Sequence, residues 1–394
     1  MIPYGRQEID RKDINSVIKV LKSKLITQGP QVPKFENKIC DYVSSKYAVA
    51  VNSATSALHI SCLALNLKKN DILWTVPNTF VASANCGLYC GAKIDFVDID
   101  PLSWNISIAK LEEKLKIAQK IKKLPKILVS VHFTGQPTIQ EKIKHLSNKF
   151  GFLIIEDASH SLGALRNSIR VGSCKWSDIT VFSFHPVKMI TTGEGGMAVT
   201  NNKKIYIKLQ MYREHGITRD KELISKKSGG AFFKSLGRSP QFEQQLLGYN
   251  YRMTDISAAL GISQIDKLEK FLKKRNSLAN YYIKKLKKNK NIQLQQIDKK
   301  NYSSYHIFVI RIKLDQIKND YTYIFDKLRK NNIIVNLHYL PVHLHPYYQE
   351  LGFKAGDYPE SEKYSKEALT IPLFTTITRK QQDYVIEQIN KYCV

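Results

Sequence analysis

The chain has 394 residues, of which 61 are Lys or Arg and 34 are Asp or Glu, so its formal net charge is +27. This length exceeds what a single hydrophobic core usually supports, which favours two domains. No apolar run approaches the roughly 20 residues of a membrane-spanning helix, and the first residues, MIPYGRQEIDRKD, lack the apolar core of a signal peptide. We therefore expect a cytoplasmic protein with no membrane partner.

The positive charge has two interpretations. A basic patch could bind nucleic acid or another polyanion. Most of the lysines, however, lie in stretches such as 111–123 and 267–275, where apolar residues recur every three or four positions as in helices with one solvated face. No nucleic-acid-binding signature accompanies them. We therefore favour a solvated surface with no nucleic-acid partner, whose positive field would attract an anionic substrate such as a nucleotide sugar.

The cysteines predict neither disulfides nor a metal site. A cytoplasmic protein keeps its thiols reduced. Cys86 and Cys90 lie four residues apart in a predicted helix, but no second pair or neighbouring histidine completes a tetrahedral metal site. Buried helix cysteines are the simpler interpretation. The six cysteines are Cys40, Cys62, Cys86, Cys90, Cys174 and Cys393.

The segment from about 45 to 265 alternates strand-like and helix-like stretches. Helical patterns follow the first two apolar runs, over about 54–66 and 79–91. Continuous apolar strands between helices are typical of a mainly parallel sheet that is covered on both faces, and such sheets bind ligands beyond the carboxyl ends of their strands. The strand-like runs lie at 48–51, 71–77, 93–100, 126–135, 152–159, 178–185 and 195–201.

The remaining sequence predicts a second, smaller domain. Residues 213–247 are rich in Gly, Ser and charge, and they interrupt the alternation as a lid-like excursion. A long helix, bent or broken, is predicted over 249–288, and alternating strand and helix signals after about 290 indicate a small α+β domain. We place the large domain at 1–265, including an N-terminal segment 1–40, and the small domain at 266–394.

A polar turn, Asn52–Ser56, follows the first strand and opens a helix. Small and hydroxyl residues at a helix N-terminus leave backbone N–H groups and the positive end of the helix dipole free for a phosphate. Ser and Thr are equally favoured as ordinary N-caps, so this turn alone does not decide between the two roles.

Two further strand ends carry ionisable residues. Glu156 and Asp157 end the strand FLII within the run 152–159, where a carboxylate could cap a turn or pair with a cationic ring nitrogen. Lys188 follows the strand at 178–185 and precedes TTGEGG, a sequence better suited to tight backbone packing near a ligand than to a solvated loop. A surface lysine and a structural carboxylate are the alternatives for the two residues taken singly.

Together these groups match what pyridoxal phosphate requires. A helix start could hold the phosphate, an aspartate could hold the pyridine nitrogen, and a lysine 31 residues further along could react with the aldehyde. A shielded site would lower the pKa of that lysine, so that it could act as a nucleophile or base.

The chain resembles the DegT-type sugar aminotransferases, which are fold-type I (aspartate aminotransferase-like) pyridoxal phosphate enzymes. The resemblance covers nearly the whole chain, and it implies an α/β fold with a mainly parallel seven-stranded sheet between helices plus a smaller C-terminal α+β domain. The motifs that carry it are LITQGP (25–30), NSATSALH (52–59), PNTFVASAN (77–85), EDASHSLGA (156–164), FSFHPVKMITTGEGG (182–196), REHG (213–216) and GYNYRMTDISAALG (248–261).

The resemblance implies the roles of the cofactor residues. Lys188 would form a Schiff base with the cofactor and shuttle a proton, and Asp157 would pair with the pyridine nitrogen. Phe80 would stack on the ring, while His160 stands where most relatives have Gln and would contact or shield it. The phosphate would be bound by Ala54, Thr55 and Ser183, and by Asn250 of the neighbouring subunit of a homodimer with shared active sites.

The resemblance also implies the substrates. Relatives that dehydrate sugars carry His at the lysine position, so Lys188 favours transamination with L-glutamate as amino donor. The motifs EDASH, SFHPVK and YNYRMTD are similar to those of the family branch that acts in pseudaminic acid biosynthesis. This similarity implies a UDP-linked 4-keto-6-deoxy-N-acetyl-hexosamine as the amino acceptor. A dTDP- or GDP-linked 4-keto sugar is the alternative, and a non-enzymatic polyanion-binding protein on the same fold is a more distant one. The implied contacts of the nucleotide sugar are Tyr4, Lys24, Leu25, Ile26, Thr27, Asn336, Leu337, His338 and Tyr339.

Overall fold

A seven-stranded, mainly parallel sheet forms the centre of the fold, which confirms the predicted α/β architecture. Of its strands, Gly196–Thr200 runs antiparallel to both neighbours, and the other six share one direction. The computed structural model describes residues 1–220, 224, 232, 235–237 and 242–393. In spatial order the strands are Tyr47–Val51, Gly196–Thr200, Ile179–Ser183, Leu153–Asp157, Ile127–Val131, Ile72–Thr75 and Lys93–Phe96.

Both faces of this sheet are buried, because its strands are apolar at consecutive positions. Val129 and Ile155 pack on one face, whereas Leu128 and Ile154 pack on the other. Helices cover both faces. The α-helices of the described residues are Arg11–Leu21, Gln31–Val43, Ala54–Ala64, Ala82–Leu88, Ile108–Lys120, Gln140–Phe150, Lys203–Arg213, Asp255–Ile265, Leu268–Leu286, Tyr321–Lys330, Pro346–Glu350, Pro359–Glu367 and Arg379–Tyr392.

The strand directions bring the predicted site residues to one edge of the sheet. The parallel strands Leu153–Asp157 and Ile179–Ser183 both end there, as does Tyr47–Val51, which leads into the helix Ala54–Ala64. The antiparallel strand Gly196–Thr200 begins at the same edge, since Gly196 pairs with Ser183 and with Val51.

The C-terminal part of the chain contains a smaller antiparallel sheet. Its central strand, Phe308–Ile312, pairs with Ile292–Leu294 on one side and with Ala368–Ile371 on the other. Ile2 packs in the same apolar cluster, and its backbone N–H donates to Asn332 O at 2.7 Å. Residues from the beginning of the sequence are thus built into this second sheet region. The boundary at 265/266 remains a prediction.

Short elements complete the fold. The helix predicted over 249–288 is two helices, Asp255–Ile265 and Leu268–Leu286. The ends of the predicted excursion 213–247 pair as the strands Ile217–Thr218 and Glu243–Gln244, whereas most of its interior lies outside the described residues. No helix in the described ranges has both the length and the apolar character of a membrane span. A further small sheet is formed by Leu165–Arg166, Ile169–Arg170 and Asn301–Tyr302, and the 3₁₀ turns are Phe133–Gly135, Leu314–Gln316 and Val342–Leu344.

A buried guanidinium joins the long helix to the second sheet region. Arg275, 2% exposed, donates from Nη1 to the carbonyl oxygens of Tyr305, His306 and Leu373 at 3.2, 3.0 and 3.1 Å. Burial lowers the pKa of Arg275 to about 10, which still leaves the side chain charged at neutral pH. The buried cation needs the three carbonyl acceptors and the carbonyl groups need this donor, because an unpaired polar group inside the protein costs free energy.

We expect Arg275→Met to lower the free energy of unfolding by about 2–4 kcal/mol, because it leaves three inward-facing carbonyl oxygens without this donor. Chemical denaturation followed by circular dichroism measures the change. Arg329→Met is the matched control, because Arg329 lies on an exposed helix face, and we expect a change within about 0.5 kcal/mol. Equal effects of the two substitutions would contradict this account of Arg275.

Candidate active site

A cavity of about 430 Å³ opens at the carboxyl edge of the large sheet. It lies where the strand directions bring the polar strand ends together, which is where α/β sheets bind ligands. The predicted site residues that line it are Tyr4, Ala54, Thr55, Phe80, Asp157, His160, Ser183, Lys188, Asn336, Leu337, His338 and Tyr339.

Five predicted residues lie outside the wall of this cavity. The backbone of Thr27 bridges to Thr254, four residues after Asn250, so the two segments adjoin each other in the fold. All five are exposed, and a single chain does not bring them to the cavity. They are Lys24, Leu25, Ile26, Thr27 and Asn250.

The Asp157 carboxylate is held in one orientation by two serines. Ser83 Oγ donates to Asp157 Oδ2 at 2.7 Å, and Ser83 Oγ is itself 2.8 Å from Thr79 Oγ1. On the other oxygen, Ser159 donates from its backbone N and its Oγ to Asp157 Oδ1, at 3.1 and 2.6 Å. Asp157 is 7% exposed, so these donors stabilise a buried carboxylate that can pair with a cationic nitrogen.

The sequence interpretation missed both serines as functional residues. Ser159 had a local signal, because a side-chain carboxylate commonly accepts from the backbone two residues further along. Ser83 had none, since the helix that carries it, Ala82–Leu88, reaches Asp157 only through tertiary packing.

Lys188 lies in a turn beyond the strand Ile179–Ser183, where its backbone N–H donates to His185 O at 2.9 Å. Its side chain is half-buried and lines the cavity. Burial lowers the pKa of Lys188 to about 8, and the charge of Asp157 opposes this shift. Roughly one amine in ten is therefore neutral at pH 7, far more than for an ordinary lysine, and a neutral amine can attack an aldehyde.

The start of the helix Ala54–Ala64 offers an anion site. Ser53 caps the helix by accepting from Ser56 N at 3.1 Å. Within the described residues, the backbone N–H groups of Ala54 and Thr55 have no hydrogen-bond acceptor, and both residues line the cavity. Orphan N–H groups at the positive end of a helix dipole suit a phosphate.

Gly196 allows this helix start to approach the sheet closely. A Cβ at position 196 would overlap the backbone of Ser53 and Ala54, so no larger residue fits without moving the helix. Ser183 pairs with Gly196 on the neighbouring strand, and it lines the same cavity. The backbone N–H groups and the hydroxyl thus lie around one end of the cavity.

A cluster of histidines forms another part of the wall. His160 Nε2 lies 3.2 Å from Tyr339 Oη, and the ring of His160 contacts that of His306 at 4.5 Å between centroids. Burial, with smaller effects of Lys188 and His338, lowers the pKa of His160 well below its ordinary value. His160 is therefore neutral at physiological pH, which its sequence position left open. His306 was not singled out from the sequence.

The wall opposite the strand ends is aromatic and polar. His338 Nδ1 lies 2.9 Å from Thr370 Oγ1, and the ring of His338 contacts Tyr4 at 5.4 Å between centroids. Burial lowers the pKa of His338 to about 4, so this histidine is also neutral. Phe80, 57% exposed, stands at the cavity with its ring 6.1 Å from that of Tyr339. These flat, neutral groups suit a planar cofactor and a sugar ring.

The donor set fits pyridoxal 5′-phosphate. Free helix N–H groups match its phosphate, a fixed buried carboxylate matches its ring nitrogen, and an amine of lowered pKa matches its aldehyde. The residues that could hold the cofactor in one chain are Ala54, Thr55, Phe80, Asp157, His160, Ser183 and Lys188.

Comparison with known proteins agrees with this fit. Residues 7–390 match the model of the DegT/DnrJ/EryC1/StrS aminotransferase family. The UDP-4-amino-4,6-dideoxy-N-acetyl-β-L-altrosamine transaminase of Campylobacter jejuni is 36% identical over 403 residues, which cover 100% of both chains.

Solved structures of sugar aminotransferases share the fold. Helicobacter pylori PseC, described as an aminotransferase involved in the biosynthesis of pseudoaminic acid, superposes with a TM-score of 0.86 at 28% identity, covering 99% of this chain and 98% of that one. The sugar aminotransferase Spr1654 of Streptococcus pneumoniae in its PLP form superposes with a TM-score of 0.85 at 25% identity, over 99% and 98% of the two chains.

The lowered pKa of Lys188 can be tested without turnover. In the cofactor-free protein, we expect acetylation of Lys188 by limiting acetic anhydride to rise with a midpoint near pH 8, because burial favours the neutral amine. Mass spectrometry of the Lys188 peptide measures the labelling, and the exposed Lys12 serves as internal reference for reagent decay. Labelling of Lys188 that rises only above pH 10 would contradict the assignment.

Proposed function

Because this chain belongs to the DegT/DnrJ/EryC1/StrS aminotransferase family, whose model matches residues 7–390, we propose that it aminates a UDP-linked sugar. The chain is a pyridoxal phosphate-dependent sugar aminotransferase. Its membership of this enzyme family favours a catalytic function over the polyanion binding that its charge alone suggests. The proposed acceptor is UDP-2-acetamido-2,6-dideoxy-β-L-arabino-hex-4-ulose, and the proposed donor is L-glutamate. The product would be UDP-4-amino-4,6-dideoxy-N-acetyl-β-L-altrosamine, for pseudaminic acid biosynthesis.

The observation that carries the reaction type is the pair formed by Lys188 and Asp157 at one cavity. The amine of Lys188 has a lowered pKa, and the Asp157 carboxylate is fixed by three hydrogen bonds. The observation that supports the sugar is the similarity to the Campylobacter jejuni transaminase over both complete chains, together with the structural similarity to PseC.

When bound, pyridoxal phosphate supplies an electron sink for the negative charge that develops at the reacting carbon. In our proposal Lys188 Nζ attaches the cofactor and afterwards carries the proton that moves at that carbon. Asp157 would pair with the ring nitrogen and keep it protonated, because hydrogen bonds from Ser83 and Ser159 fix the orientation of its carboxylate. Phe80 would stack on one face of the ring and shield it from water.

The remaining cofactor contacts are proposed from the cavity wall. The N–H groups of Ala54 and Thr55 and the hydroxyl of Ser183 would bind the phosphate. His160, neutral and hydrogen-bonded to Tyr339, would contact or shield the ring's phenolic oxygen without adding a charge.

The sugar nucleotide would occupy the aromatic side of the cavity. We propose that it contacts Tyr4 and the run Asn336, Leu337, His338 and Tyr339, all of which line the cavity. The uncharged state of His338 means that this wall recognises hydroxyl and amide groups by hydrogen bonds rather than by ion pairs.

A homodimer would complete the site. The exposed run Lys24–Thr27 and the exposed Asn250 do not line the cavity of their own chain. Exposed apolar residues accompany them, including Ile26 at 49% and Leu247 at 78%. Such a surface is typical of an interface, and we propose that it brings Asn250 to the cofactor phosphate and residues 24–27 to the sugar of a second copy.

The substrate is tested with a panel of UDP-, dTDP- and GDP-linked 4-keto-6-deoxy sugars and L-glutamate. We expect the UDP-linked N-acetyl sugar to be aminated with the highest kcat/KM, and product to be identified by mass spectrometry. Lys188→Ala is the control, and we expect it to lower turnover by at least roughly a thousandfold. Equal or better turnover with GDP-4-keto-6-deoxymannose would contradict the UDP assignment.

The role of Lys188 in attaching the cofactor is tested by borohydride reduction of the holoenzyme. We expect the reduced cofactor to be attached to Lys188, and attachment to another lysine would refute this role.

The shared site is tested by mixing two defective variants. Alone, Lys188→Ala should be inactive and Asn250→Ala weakly active, but co-expression should restore roughly a quarter of wild-type activity, because half of the dimers are mixed and one of their two sites is intact. Co-expression of Lys188→Ala with Lys188→Met is the control and should restore nothing. No recovery in a mixed dimer whose composition is verified by mass spectrometry would refute sharing of Asn250.

A further inference from the structure

His306 is a cavity residue to which the proposed function gives no role. It lines the cavity together with Lys188 and Tyr339, and only 4% of it is exposed. Its backbone is fixed on both sides, because its N–H donates to Thr134 O at 2.9 Å and its carbonyl oxygen accepts from Arg275 Nη1 at 3.0 Å. The imidazole is therefore held in the cavity wall by two other segments of the chain.

One nitrogen of the His306 ring is left for a bound molecule. The ring packs against that of His160, with 4.5 Å between the centroids and 44° between the planes. Its Nδ1 is buried and has no hydrogen-bond partner among the residues that the structure describes. Since the residue lines the cavity, Nε2 is the polar atom through which it can meet a ligand.

The proton of the His306 ring belongs on Nε2. Burial is the main reason that the pKa of His306 lies well below its ordinary value, so the ring is neutral at physiological pH. A neutral imidazole carries one N–H, and on the buried Nδ1 this group would have no acceptor. Buried N–H groups without an acceptor are rarer in proteins than unpaired acceptors. The Nε2–H group is therefore a donor available to the cavity.

The same reasoning makes Tyr339 a second donor. In the described part of the chain, Nδ1 of His160 is also buried without a partner, which places the proton of that ring on Nε2, 3.2 Å from Tyr339 Oη. The tyrosine oxygen accepts from His160, so its own proton is free to be donated. Burial raises the pKa of Tyr339, so the hydroxyl keeps this proton. Two uncharged donors thus flank His160 in one wall.

An N–H and an O–H donor in one wall suit a carboxylate, which accepts through both oxygens. An amino acid that gives up its amino group carries a carboxylate on the reacting carbon itself. Of the residues that the structure describes, no arginine lines the cavity, and its single lysine, Lys188, is the residue proposed to attach the cofactor. Within one chain, uncharged donors are therefore what the wall offers to this carboxylate.

We propose that His306 Nε2–H and Tyr339 Oη–H bind the α-carboxylate of the amino donor. The inference rests on the proposed roles of the cavity and of Lys188, but not on the identity of the sugar. The two half-reactions use the cavity in turn, so the same donors meet a hydroxyl oxygen of the sugar once the amino acid has left. His306 is then a substrate-binding residue that favours amino acids over amines without a carboxylate.

The site is tested on holoenzyme variants by following the conversion of the bound cofactor from its pyridoxal to its pyridoxamine form. We expect His306→Phe to lower kcat/KM for L-glutamate by about 10- to 100-fold, because the flat ring stays while one donor to a charged group is lost. His306→Gln is the conservative variant, since its amide N–H has about the reach of Nε2, and it should stay within about threefold of wild type.

Cofactor content and borohydride attachment to Lys188 are measured in the same variants and should be unchanged, which separates substrate binding from mere packing against His160. An unchanged kcat/KM in His306→Phe would overturn the proposal. Equal losses of kcat/KM and of bound cofactor in both His306 variants would also overturn it, because they would show a structural role.

A panel of amino acids separates this inference from the proposed donor and sugar. The α-carboxylate is common to all of them, and no sugar takes part in this half-reaction. His306→Phe should therefore lower the rate for whichever amino acid converts the wild-type cofactor. Such a loss supports the carboxylate site even when the UDP-sugar assignment fails in its own assay.

Binding without turnover gives an independent measurement. 2-Oxoglutarate does not react with the pyridoxal form but carries the same carboxylate, and calorimetry should show its Kd raised about tenfold or more in His306→Phe and in Tyr339→Phe. Arg252→Gln tests whether a second copy supplies the ligand instead, since Arg252 lies two residues after Asn250. Weaker binding in Arg252→Gln with unchanged binding in His306→Phe would overturn the proposal.

Discussion

The hydrogen bonds that fix the Asp157 carboxylate are the constraint on which the rest of the site depends. A buried carboxylate is costly unless donors satisfy both oxygens, and here Ser83 and Ser159 do so from two different segments. The charge that they stabilise acts on Lys188, where it opposes the effect of burial, so that the pKa of the amine settles at about 8. The lysine thus keeps a useful neutral fraction while remaining able to accept a proton.

The same balance explains why the histidines of the cavity are neutral. His160 and His338 are buried near Lys188, and burial together with this positive charge disfavours a second cation. These two histidines therefore add no positive charge to the cavity wall beside Lys188. A nucleotide sugar attracted by the overall charge would meet a site whose sugar-facing groups are uncharged aromatic rings, hydroxyls and imidazoles.

The sequence predicted the sheet and the strand-end positions of Asp157 and Lys188 because they follow from chain-local rules, whereas the role of Ser183 was implied by the family resemblance. Apolar strands alternate with helices, and parallel strands must end at one edge. Ser83 and His306 could not be found in this way, since the contact of Ser83 with Asp157 and the place of His306 at the cavity come from packing between segments far apart in sequence. The protonation state of His160 depended on burial. Asn250 and residues 24–27 concern surfaces that a single chain cannot complete, and most of 221–241 lies outside the described residues.

The backbone contacts near the start of the sequence have a consequence for biosynthesis. Ile2 N–H donates to Asn332 O, and Tyr4 O accepts from Leu373 N at 3.0 Å, which places the Tyr4 ring in the cavity. During translation, Lys188, Asp157 and the phosphate-binding turn emerge from the ribosome well before residues 332–373 exist. The wall beside Tyr4 is therefore assembled only after these late-synthesised segments have arrived, although Tyr4 itself is among the first residues to leave the ribosome.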